Sequence, residues 1–76
     1  MTIIAYLKGS EPPLPAPATG QMRLGTRDRT IHPSGDTFQL VWEEGPIVYL
    51  LWLTPQEGGR LTEAQFRAVV SGFTWP

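Results

Sequence analysis

The chain has 76 residues, no Cys, one His and a formal net charge of −1; 41% of it is hydrophobic and 11% aromatic. That length suits a single domain, residues 1–76, and the missing Cys excludes a disulfide or zinc-thiolate scaffold. The near-neutral charge argues against a general polyanion binder, and the apolar content argues against a disordered tail.

Met1–Leu7 is β-branched and aromatic and reads as a short strand, ended by Gly9 and Ser10. Glu11–Ala18 holds four prolines, which fix φ and remove backbone donors. It therefore reads as an extended strap over 11–18. Gln21–Leu24 and Arg29–His32 read as short strands around a turn at Gly25-Thr26-Arg27-Asp28. Pro33-Ser34-Gly35-Asp36 is a further turn signal.

Thr37–Trp42 alternates: Phe38, Leu40 and Trp42 point one way, Thr37, Gln39 and Val41 the other. Glu43-Glu44-Gly45-Pro46 turns the chain, and Ile47–Leu53 returns, so residues 37–53 form a central hairpin. A loop at Pro55–Gly59 precedes a helix over about 62–71. Thr62 is its N-cap, Gln65 the capping-box partner, and Leu61 with Phe66 a hydrophobic staple. Phe66, Val69, Val70 and Phe73 recur at helical spacing, and Gly72 is expected as a left-handed C′ residue. Phe73–Pro76 is an apolar tail. No internal repeat stands out.

These elements predict an α+β fold: a small antiparallel sheet of three to five strands with one C-terminal helix packed on one face. The strand Ile47–Leu53 is apolar on both faces, with Ile47, Tyr49, Leu51 and Leu53 on one and Val48, Leu50 and Trp52 on the other. Such strands are buried on both sides, yet one short helix covers one face. The second face needs a cover from Leu14, the prolines and Trp75, or from another molecule.

The titratable groups, His32, Asp28, Asp36, Glu43, Glu44, Glu57 and Glu63, show no nucleophile, phosphate-loop or metal-ligand spacing. His32, next to Pro33, reads as a turn residue. Neither an enzyme, a cofactor, a metal nor a small-molecule substrate is expected. Arg23, Arg27 and Arg29 could form a basic strip for phosphate, the runner-up reading of a nucleic-acid-associated protein; solvated edge charges explain them better. Pro12-Pro13-Leu14-Pro15 has P-x-x-P spacing without an adjacent basic flank, and reads first as a rigid strap.

The expected function is non-enzymatic protein binding, by a small accessory, inhibitory or structural subunit, a viral one included, with a larger protein or a second copy as partner. The expected anchors are Leu14, Trp42, Tyr49 and Trp52, with Arg27 and Arg29 as rim charges. Met1–Leu7 lacks a basic flank, and the apolar run Pro46–Leu53 falls far short of the roughly 20 residues of a membrane span. The expected place is the cytoplasm, or the inside of a virion or other assembled particle.

Overall fold

A computed structural model describes residues 1–55 and 59–75. Part of the loop expected at Pro55–Gly59, including Glu57, lies outside the described residues, as does Pro76. The fold is the small α+β architecture expected. Five strands, β1 (Thr2–Leu7), β2 (Gly20–Leu24), β3 (Arg27–Ser34), β4 (Thr37–Glu44) and β5 (Ile47–Trp52), precede one helix, α1 (Glu63–Ser71). The sheet is antiparallel throughout, in the order β1-β5-β4-β3-β2. No described helix is long and apolar enough to cross a membrane.

Strands β2 to β5 form a meander closed by three two-residue turns, Gly25-Thr26, Gly35-Asp36 and Gly45-Pro46. In each, the glycine has positive φ (62°, 60° and 59°), while no described non-glycine residue does. This is the pattern of a II′ turn, whose twist matches the strands it joins. The ring of Pro46 presets the negative φ needed at the second position. The turns are tighter than the sequence suggested, so β3 extends from Arg27 through Pro33. Ser34 and Thr37 flank the turn, and Pro33 faces Phe38 in the next, non-hydrogen-bonded pair. Its nitrogen therefore points away from β4, and β2 begins only opposite Ile31, so no ladder bond is lost. The turns recur every ten residues although the strand sequences do not.

The register puts Leu24, Ile31, Leu40, Trp42, Leu51 and Leu53 on one face, where they pack with Phe66 and Val70 of α1. The helix starts as its sequence dictates. Thr62 Oγ1 accepts from Gln65 N (3.1 Å), and Gln65 Oε1 accepts from Thr62 N (2.9 Å). Leu61 N–H donates to Asp36 O (2.9 Å), tying the helix entry to the β3–β4 turn. Gly72 is not left-handed: its φ is −79° and its N–H donates to Val69 O at 3.1 Å. The helix tightens into a right-handed last turn, because Phe73 and Trp75 must turn back onto the sheet.

Strands β1 and β2 are opposite edges, so residues 8–19 must cross the sheet. Four strand spacings are roughly 19 Å, within reach of a dozen extended residues. The crossing lies on the face away from α1, where His32 Nδ1 meets Ala16 O at 2.9 Å. Beneath it Val48 and Leu50 are buried, outside the helix-side core. The second face is thus covered by the chain's own strap, while Trp75 belongs to the helix side.

Candidate protein-interaction surface

The six residues expected to anchor a partner do not share a surface. Trp42 is buried in the helix-side core, where Tyr49 stacks on it (5.3 Å between centroids, 13° between planes). The register pairs these two directly across β4 and β5. Arg29 is only 2% exposed, which corrects its assignment as a rim charge. Its guanidinium carbon lies 4.4 Å from the centroid of Trp42 and 4.2 Å from that of Trp75. Its Nε and Nη2 both donate to Leu24 O, at 3.3 and 3.0 Å. Desolvation lowers the Arg29 pKa, with Glu44 pulling it back up and Arg27 adding to the lowering. The arginine is held by two aromatic faces and a carbonyl, without a carboxylate in ion-pair contact among the described residues.

Arg27 is exposed on the same face and pairs with Glu44 (2.8 Å). Arg23, on the opposite face, pairs with Asp28 (3.2 Å). The expected basic strip at 23–29 is therefore divided between two faces and the core, because consecutive strand residues alternate. Trp52 is half-buried on the strap side, between Thr2 and Gln39 in the register. Leu14, on the strap, is 39% exposed. His32 is a buried β3 residue rather than a turn residue: its Nε2 meets Thr30 Oγ1 at 2.9 Å while Nδ1 holds the strap. Its neighbour in the register, Gln39, keeps a buried Oε1 without a partner among the described residues. No group of three or more His, Asp or Glu is placed to hold a metal ion among the described residues.

The sheet edges differ sharply, which sequence reading missed. Strand β2 is guarded. Its turn pairs Leu24 with Arg27, so by alternation the backbones of Gln21 and Arg23 face outward. The carbonyl of Gln21 is taken by Arg67 Nη1 of α1 (3.1 Å), and Arg23 puts a charge on the edge. Arg67 is held in turn by Glu63 (3.1 Å), whose Oε1 accepts from Thr19 Oγ1 (2.7 Å). A side chain at position 20 would collide with the Arg67 guanidinium, so Gly20 admits the guard.

Among the described residues, strand β1 has no such guard. Thr2–Leu7 contains no charge, no Pro and no Gly. Lys8 N–H donates to Pro46 O (2.8 Å), so Thr2, Ile4, Tyr6 and Lys8 turn their backbones inward to β5. Ile3, Ala5 and Leu7 turn theirs outward. On the helix side of this edge Ile3 is 50% and Leu7 62% exposed. Beside Ile3, Met1, Leu51, Phe73, Thr74 and Trp75 complete a shallow, mostly apolar groove of about 150 Å³. An open apolar edge of this kind is a template for another strand. No protein-family model matches the chain, nor does any curated protein or solved structure.

Proposed function

We propose that this chain is a non-enzymatic protein-binding module, a small accessory subunit that docks by adding a partner strand to the β1 edge. The observation that supports this is the contrast between the edges: Arg67 and Arg23 guard β2, while Ile3, Ala5 and Leu7 leave β1 open. Backbone pairing would supply affinity, and the alternating side chains would supply selectivity. The docking surface thereby moves from the hairpin face expected from sequence, which the strap covers, to the strand beside it. Of the expected anchors, Leu14 remains an exposed contact on the opposite side.

A photo-reactive side chain at position 3, introduced in cells that make the chain, tests this reading. Adducts to protein are expected from position 3, and none from the β2–β3 turn at position 26. An Ile3 probe that labels no protein would overturn it.

A further inference from the structure

We infer that the occupant of the β1 edge is β1 of a second copy of this chain, antiparallel about a two-fold axis at Ala5. The inference rests on the reading of that edge as a protein-binding surface and names its partner. A two-fold axis normal to the sheet keeps each face continuous, so paired residues must come from the same face of β1. Centring the axis on Ala5 pairs Ala5 with its own copy and Ile3 with the partner's Leu7, twice. These are the three residues of β1 whose backbone groups point outward, so every outward N–H and C=O of the strand gains a partner.

The side chains suit the same register. On the helix side, the second copy's Leu7 arrives directly opposite Ile3, beside the apolar groove that Ile3 lines with Met1, Phe73 and Trp75. On the strap side Ile4 faces Tyr6 of the other copy. No like charges meet: Thr2–Leu7 is uncharged, and each Lys8, drawn to Glu43 of its own chain (3.3 Å), falls opposite a Thr2. The two exposed residues Ile3 and Leu7 thus cover one another, and the open edge disappears into one continuous sheet. The guarded β2 edges remain at its two ends, where they stop further growth.

Because the chain has no Cys, single cysteines report the register cleanly. A hydrogen-bonded antiparallel pair puts Cα atoms about 5.5 Å apart, within disulfide range. Purified Ala5→Cys should oxidise to a covalent dimer, while Thr26→Cys and Ile4→Cys should not. Sedimentation velocity should show a concentration-dependent dimer, weakened about tenfold or more by Ile3→Lys with an unchanged far-ultraviolet spectrum. If Ile3→Lys fails to fold, the cysteine variants still decide. A wild-type chain that stays monomeric at its highest soluble concentration, with no Ala5→Cys cross-link, overturns the second copy as partner. If position 3 still labels a different protein in cells, the protein-binding reading survives that result. A cross-link through Ile4→Cys in place of Ala5→Cys overturns the register.

Discussion

Arg29 lies under Trp75, with its guanidinium carbon 4.2 Å from the ring centroid and Trp42 4.4 Å away. Trp75 also donates its indole N–H to Val70 O at 2.7 Å, so one side chain ties the tail to the helix and to the sheet. Trp75→Ala should remove both and destabilise the fold by about 3 kcal/mol, measured by denaturant titration. Because no carboxylate among the described residues contacts Arg29, Arg29→Met should cost far less than Arg29→Ala, about 1 against about 3 kcal/mol. Equal losses would mean that the charge and its hydrogen bonds to Leu24 O, rather than the volume between the rings, hold the tail.

His32 holds the strap through one hydrogen bond to Ala16 O. His32→Ala should cost about 1–3 kcal/mol, the penalty for leaving a buried polar group unpaired. It should also speed amide exchange and proteolysis within residues 11–18. Unchanged cleavage there would show that packing alone fixes the strap.

Gly35 sits at φ 60°, and a Cβ built on it meets nothing within 4 Å. Its substitution therefore isolates the backbone effect. Gly35→Ala should destabilise by about 1 kcal/mol, while D-alanine at the same position in a synthetic chain should be neutral or stabilising. Thermal unfolding of the two chains decides this.

Hydrogen bonds from Thr19 and then Arg67 lower the Glu63 pKa. A carboxylate with a depressed folded pKa contributes stability above its unfolded pKa and loses it as the pH falls through the folded value. The Glu63 contribution should therefore be present at neutral pH and fade below the ordinary carboxylate range of about 4. Thr19→Val should raise the acid midpoint of unfolding. It should also loosen Arg67 from Gln21 O, seen as faster exchange along β2 in acid. An identical acid midpoint in Thr19→Val would reject the coupling.

The local elements were legible because local chemistry sets them. Alternation in Thr37–Trp42 and the Thr62–Gln65 cap produced the hairpin and helix start seen. Arg29 was illegible because its burial depends on Trp42 across the sheet and Trp75 at the chain end, neither near it in sequence. Arginine also defaults to the surface. Gly72 misled because a glycine after a helix permits a left-handed turn without requiring one. The open edge could not be read from β1 itself: Thr2–Leu7 would spell a protected strand equally well had it been placed inside the sheet. Strand order, set by where the strap lands, made it an edge.

That strap also orders events during folding. Each hairpin of the meander closes through a two-residue turn, whereas β1 must find β5 from the other end of the chain. Contacts between distant segments form slowly. Wherever β1 is undocked, β5, the most apolar strand, becomes the rim of the sheet in its place. An undocked β1 would therefore leave an apolar edge open to neighbouring chains, and the strap, by tethering β1 to the sheet, keeps its cover close at hand.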